Sequence, residues 1–136
     1  MKKPEIISIV EVLWDLCPEG ERFGGAPANF ACHAAILGAN VSMVSAVGDD
    51  RHGREACDIL QGFGIDVSLM QTIPEVPTGT VGVVLDVAGK PTFTIHEPSA
   101  WDRLAWNNAG DAGRWHLRRN AGAERRILTL DDSSLC

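Results

Sequence analysis

The chain has 136 residues, 45% hydrophobic and 22% charged, which suits one domain with a buried core. Its net charge of −6 argues against a nucleic-acid surface, and no apolar run approaches the roughly 20 residues of a membrane-spanning helix. The four cysteines, at 17, 32, 57 and 136, lack CxxC spacing and read as reduced thiols of a cytoplasmic protein rather than a disulfide framework or zinc site.

The segment MKKPEIISIVEV reads as a first strand, Ile6 to Leu13, rather than a signal peptide, because its apolar run is short and flanked by Glu5 and Glu11. Pro18 to Arg22 reads as a loop. A helix is expected to start near Pro27, with Phe30, Ala34 and Leu37 on one face and Gly38 at its C-terminal end. Val41 to Val47 is a second expected strand. Asp50 to Gln61 is a second helix, with Ala56, Ile59, Leu60 and Phe63 at core spacing, and Val67 to Gln71 a third strand. Strand, helix, strand, helix, strand in this order implies parallel pairing with right-handed crossovers. From Thr78 the pattern changes. Thr80 to Val87 and Pro91 to His96 form a β-hairpin around Gly89, of the kind that leaves a main sheet to cover something. Ser99 to Asp102 has the spacing of a capping box, so a further helix is expected there.

The stretch RFGGAPANFACHAAILG carries the first chemical signal. A glycine pair before a helix lets backbone N–H groups approach a polar ligand, and Asn29 in the first turn can donate and accept toward the same ligand. Alanines 28, 31, 34 and 35 let the helix sit close to a sheet. A plain loop-to-helix junction accounts for the same spacing.

The run GGAPANFACHAAILGANVSMVSAVG, Gly24 to Gly48, resembles the first signature of the PfkB carbohydrate kinases, the ribokinase family. Gly24, Gly25, Asn29, Gly38 and Gly48 take the places of that pattern, and VGDDRHGREACDILQGFGIDV, PTGTVGVVLD and GKPTFTIHEPSAWD continue it in order. The start EVLWDLCPEGERFGGAPANF is most similar to the fructokinase branch. The resemblance covers residues 4 to 106. It implies an α/β fold: a ribokinase-like parallel-sheet sandwich, here its N-terminal half, with a small β-hairpin lid that closes over a sugar. It also implies transfer of the γ-phosphoryl of ATP to a sugar hydroxyl with magnesium, and homodimers formed through the lid. Family sugar-binding positions fall on Asp15, Gly24, Gly25 and Asn29. Asp15 follows a predicted strand at its C-terminal end, where α/β sheets bind ligands, and a carboxylate can accept two hydroxyl hydrogen bonds. Val10 stands where the family usually has glycine.

Other candidates read as structural. Asp49 or Asp50 is expected to cap the second helix rather than bind metal, and His33, His52 and His116 have no second ligand at metal spacing. His96 and Phe93 could touch substrate or a partner subunit, and Trp14 could stack on a sugar face. In the family the catalytic base and anion hole sit in a second glycine-rich signature far downstream, so no catalytic residue is assigned. Asp111 in NAGDAG only superficially resembles that signature. Residues 107–136 hold five of the nine arginines and no valine or phenylalanine, and do not resemble the family. An out-of-frame or disordered tail is one expectation, and the own tail of a short paralogue the other. Two readings follow: the N-terminal part of a fructokinase-like kinase that is inactive alone, or a sugar-binding or lid-pairing module without turnover. A non-functional, poorly soluble truncated product is a third.

Overall fold

The computed structural model describes residues 2–105, so the calls on Asp111, His116, Cys136 and the segment 107–136 lie outside the described residues. The expected first strand is two strands. β1 (Glu5–Ile9) and β2 (Leu13–Cys17) belong to different sheets. The break is at Val10, whose φ of 79° turns the backbone out of the extended region. Val10 N–H still donates to Val44 O (2.9 Å), the last rung of the first ladder, and the chain then leaves that sheet. A β-branched residue is poorly suited to positive φ. No glycine marks this corner, and the run of Ile and Val on either side hid it.

The expected loop at Pro18–Arg22 is a tight turn followed by β3 (Gly20–Gly24), which pairs antiparallel with β2. Its charged sequence, GERFG, kept it from reading as a strand. β7 (Gly79–Leu85) joins the other side of β2 in parallel, and β8 (Pro91–Ile95) pairs antiparallel with β7 around Gly89. The lid is therefore a four-stranded sheet, β3-β2-β7-β8, of which the predicted hairpin is one half.

The α/β layer follows the expected alternation. β1 pairs in parallel with β4 (Asn40–Val44), and β5 (Ala46–Gly48) pairs in parallel with β6 (Gln71–Ile73). The predicted strand Val41–Val47 is thus divided at the fully buried Ser45. The predicted strand Val67–Gln71 begins too early. Asp66 Oδ1 accepts from Ser68 N–H (2.9 Å), and the turn so formed delays the strand to Gln71.

α1 (Ala26–Ile36) and α2 (Arg51–Gly62) begin and end where the caps indicated: Pro27 in the first turn of α1, Gly38 just past its end, and Asp50 at the N-cap of α2. The buried stripe of α1 differs from expectation. Ala28, Ala31, Cys32 and Ala34 face the core, while Phe30 and Leu37 are 49% and 87% exposed. Small side chains bring α1 close enough to β1 for Ser8 Oγ to donate to Pro27 O (2.7 Å). On α2, Ala56 and Leu60 are fully buried, and Phe63 is exposed. The core joins these residues to Val12, Val41, Met43, Val47 and Ile65. The last element is a 3-10 turn, Ala100–Arg103, rather than a capped α-helix; Ser99 makes no side-chain cap bond, and its Oγ donates back to His96 O (2.7 Å).

Positive φ costs a non-glycine residue about 1–3 kcal/mol, and glycine's extra backbone entropy returns about 0.5–1 kcal/mol of that. Val10→Gly is therefore expected to stabilise the chain by about 1 kcal/mol, and Val10→Ala by nothing, measured by urea unfolding; a loss of stability in Val10→Gly contradicts the assignment of strain to this corner.

Candidate functional site

Side chains alternate across a strand, so the ladder register sorts the lid residues onto two faces. Leu13 stands opposite Gly24 on one side and Gly79 on the other, and Asp15 opposite Arg22 and Val81. These residues share one face with Phe93 and Ile95 of β8. Trp14, Phe23, Glu21 and Thr80 occupy the other face.

On the first face Asp15 leans over Gly24. Its Oδ2 lies 2.9 Å from where a Gly24 Cβ would stand, so any side chain at 24 would displace the carboxylate. Burial pushes the Asp15 pKa up, and the Arg22 guanidinium opposes the rise. Gly25, the N-cap of α1, has a φ of 100°, and a Cβ there would collide with the Glu11 carbonyl oxygen. Both constraints demand glycine, which brings the start of α1 and its free N–H groups against the lid strand that carries Asp15. Asn29 lies one turn further on, its amide N–H donating to Gly25 O (2.9 Å), with an exposed side chain. Asp15 and Gly24 are thus in direct apposition, Gly25 follows against the Glu11 carbonyl, and Asn29 is tied to Gly25 through the first turn of α1. A half-buried carboxylate beside helix N–H donors offers both acceptors and donors to a polyhydroxylated ligand.

Two sequence candidates are placed elsewhere. Trp14 is on the opposite face and 7% exposed, with its ring edge-on to Phe23 (5.8 Å) and its Nε1 donating to His52 O (3.0 Å). It cannot stack on a ligand beside Asp15, since neighbouring residues of a strand point to opposite faces. His96 is also turned away from Asp15 and bonds Thr80 Oγ1 through Nδ1 (2.8 Å). Phe93 is on the Asp15 face and 62% exposed. His33 is exposed, and Asp49 pairs at the surface with Arg54 (3.2 Å). Among the described residues no three His, Cys, Asp or Glu side chains are grouped to hold a metal ion.

The lid is fixed to the α/β layer at its root. Asp50 Oδ1 accepts from Gly53 N–H (2.8 Å) and from Thr78 Oγ1 (2.7 Å), and Oδ2 accepts from Thr78 N–H (2.8 Å). Thr78 Oγ1 in turn accepts from Gly48 N–H (2.9 Å). One carboxylate therefore caps α2 and holds the residue preceding β7. Burial raises the Asp50 pKa, but the Thr78 and Gly53 hydrogen bonds and nearby His52 outweigh it and hold the carboxyl below its ordinary value. At the outer edge, Glu21 of β3 meets Arg51 (2.6 Å) and His52 (3.1 Å) of α2, which lowers the Glu21 pKa. The resemblance had led to Asp15 and the glycines; the Asp50–Thr78 clamp carried no signal beyond the capping position of Asp50.

With this geometry in view, comparison with known proteins is direct. Residues 19–112 match the pfkB family of carbohydrate kinases. The chain belongs to that family. A fructokinase of Salmonella typhimurium is 45% identical over 92 residues, covering 63% of this chain and 30% of that protein. The apo structure of a fructokinase from Vibrio cholerae O395 superposes with a TM-score of 0.68 at 31% identity, covering 74% of this chain and 36% of the other. A sugar kinase of Pyrococcus horikoshii, solved in complex with ATP, superposes with a TM-score of 0.65 at 31% identity, over 71% of this chain and 35% of the other. This pfkB chain spans about a third of the length of the fructokinases it matches. Its fold is ribokinase-like α/β, as expected from the signature.

Removing the Asp50 carboxylate forfeits a helix cap, worth about 1 kcal/mol, and leaves the Thr78 donors unpaired, at about 1–3 kcal/mol. Asp50→Ala is expected to cost about 2–4 kcal/mol by urea unfolding. Because the folded pKa of Asp50 is depressed, its share of stability is whole above about pH 4 and is lost as pH falls through the folded value. The clamp predicts a drop in melting temperature below that pH that Asp50→Ala no longer shows; an equal drop in both proteins counts against it.

Proposed function

We propose that the face built by Asp15, Gly24, Gly25 and Asn29 binds a sugar, and that the protein to which this chain corresponds phosphorylates a ketohexose such as fructose at the expense of ATP with magnesium. The observation that carries the reading is the Asp15 carboxylate, half-buried over Gly24 and beside the start of α1. The fructokinase relatives support fructose as the substrate class, and the ATP complex of the Pyrococcus horikoshii kinase supports the phosphoryl donor.

The resemblance places the anion hole and the general base in a second signature outside residues 1–106, and ATP and magnesium are assigned with them. The chemistry assigned to this chain is therefore the sugar's. Asp15 accepts hydrogen bonds from two hydroxyls, Asn29 reads a third, and the α1 N–H groups meet a hydroxyl oxygen. The lid excludes water from that face. This chain is assigned sugar binding, with no turnover on its own. A cytoplasmic setting fits the free thiols of Cys17, Cys32 and Cys57.

A second role, pairing of two copies through the lid, is favoured by one observation. Leu85, Phe93 and Ile95, on the Asp15 face of the β7–β8 edge, are 46%, 62% and 54% exposed. A contiguous apolar strip on a short sheet edge marks an interface.

Hydrogen bonds to a charged group are worth about 1.5–3 kcal/mol, so Asp15→Asn is expected to weaken fructose binding at least about tenfold by calorimetry. Since burial raises the Asp15 pKa, its charge works against the ligand-free fold at neutral pH, and the variant is expected to melt no lower than the unaltered chain. Fructose binding that survives Asp15→Asn would overturn the site assignment, and ADP release by the 136-residue chain would overturn the division of labour. For the lid, sedimentation is expected to show a dimer that Phe93→Asp converts to monomer; a monomeric unaltered chain contradicts lid pairing.

A further inference from the structure

Among the described residues, the lid face that carries Asp15 holds one other charged side chain. The alternation of β2, β3, β7 and β8 puts glycine, proline, cysteine and apolar side chains on that face, with Arg22 as the exception. The β7–β8 side, from Val81 to Ile95, presents no hydrogen-bonding side chain there. Polar reading of a ligand by side chains of this face is therefore confined to the β2–β3 side, where Arg22 stands directly opposite Asp15. Paired positions of an antiparallel ladder bring their Cβ atoms to about 5 Å.

The two side chains nevertheless form no ion pair with each other. Among the described residues the Arg22 guanidinium has one ion pair, with Glu19 (4.0 Å), and these two side chains are 68% and 63% exposed. An exposed pair at that distance holds neither partner firmly. Arg51 and Arg54 differ. Arg51 bonds the carboxylates of Glu21 (2.6 Å) and Glu55 (2.9 Å), and Arg54 bonds that of Asp49 (3.2 Å). Arg22 is thus an uncommitted cation facing the carboxylate on which the sugar reading depends. The place is open, with Asp15 half-buried and Arg22 exposed.

A carboxylate only accepts hydrogen bonds and a guanidinium only donates them, whereas a hydroxyl does both. A sugar hydroxyl set between the two donates to Asp15 and accepts from Arg22, and two such bonds end to end span about 5–6 Å. Charged groups that face each other from paired positions without touching leave room for that oxygen. Both bonds are charge-assisted, and the guanidinium fork has a second donor for a neighbouring oxygen. We propose that Arg22 is a further sugar-binding residue, which donates to the oxygen of the same hydroxyl whose hydrogen goes to Asp15. The pair then reads one hydroxyl from both sides. This inference rests on the sugar-binding reading of the Asp15 face.

The test compares the unaltered chain, Arg22→Met, Arg22→Lys and Asp15→Asn by calorimetry with fructose and a set of singly deoxygenated fructoses. Methionine keeps an unbranched apolar stem and removes every donor; lysine keeps the charge and loses the planar fork. Arg22→Met is expected to weaken fructose binding about tenfold, the worth of one hydrogen bond to a charged group, and Arg22→Lys to recover part of that loss. The fructose lacking the bridging hydroxyl is expected to bind the unaltered chain weakly and to lose nothing further in Arg22→Met. Because Arg22 is exposed, Arg22→Met is expected to melt with the unaltered chain, which separates lost binding from lost folding. Unchanged fructose affinity in Arg22→Met, with binding lost in Asp15→Asn, overturns the role of Arg22 and leaves the sugar reading standing. An equal loss for every sugar overturns the direct contact, and full recovery in Arg22→Lys then assigns the loss to charge alone. No fructose binding by the unaltered chain overturns the sugar reading and the role of Arg22 with it.

Discussion

The Asp50 carboxylate ties the two parts of this fold together. Asp50 closes the first turn of α2 and, with its other contacts, grips the hydroxyl and amide of Thr78 where the chain enters β7. The lid sheet buries only Leu13, Trp14 and Val81 of its large apolar side chains, all of β8 is exposed, and the main buried cluster lies among α1, α2, β4 and β5. Its position is set by attachments at its root and edge: the Asp50–Thr78 clamp, the Trp14 bond to His52 O, and Glu21 against Arg51 and His52. Three hydrogen bonds around a partly buried carboxylate are stronger than exposed pairs, which contribute little when solvated. The clamp is therefore the anchor, and the Glu21 contacts are an adjunct to it.

Around that anchor the chain accepts several local costs. Val10 takes a positive φ, Asp15 carries a carboxylate that burial disfavours in its charged form, and the Trp101 indole N–H has no acceptor among the described residues. None of these improves the free fold. All three lie on or beside the lid sheet, outside the well-packed α/β layer. The α/β layer shows the reverse economy, with small alanines on α1, alternating Val41 and Met43 on β4, and well-capped helices.

Much of this layer was legible because each cue had a local cause. Pro27 and Gly38 bracket α1, Asp50 caps α2, and Gly89 turns the β7–β8 hairpin. The resemblance then led to Asp15, Gly24, Gly25 and Asn29, of which the structure apposes Asp15 and Gly24 directly. What escaped has physical reasons. The corner at Val10 lacks the glycine that would signal it. β3 is charged because it is an edge strand of a lid, so hydrophobic patterning does not reveal it. Phe30 and Leu37 share helical spacing with core residues, yet the tight approach of α1 to the sheet selects alanines for the contact. Trp14 next to Asp15 in sequence looks like a ligand platform, but a strand places neighbours on opposite faces. The Asp50–Thr78 and Trp101–Gly79 contacts join residues 28 and 22 positions apart, and pairings of that range have no sequence period.

The central claim is that the glycine-lined face of the lid beside the start of α1 is where sugar binds. A crystal structure of the chain soaked with fructose tests it most directly. The account predicts sugar density beside the Asp15 carboxylate and the start of α1, with two hydroxyls within hydrogen-bond distance of that carboxylate. Sugar bound on the Trp14 face, or ordered elsewhere with the Asp15 carboxylate still solvated, would contradict it.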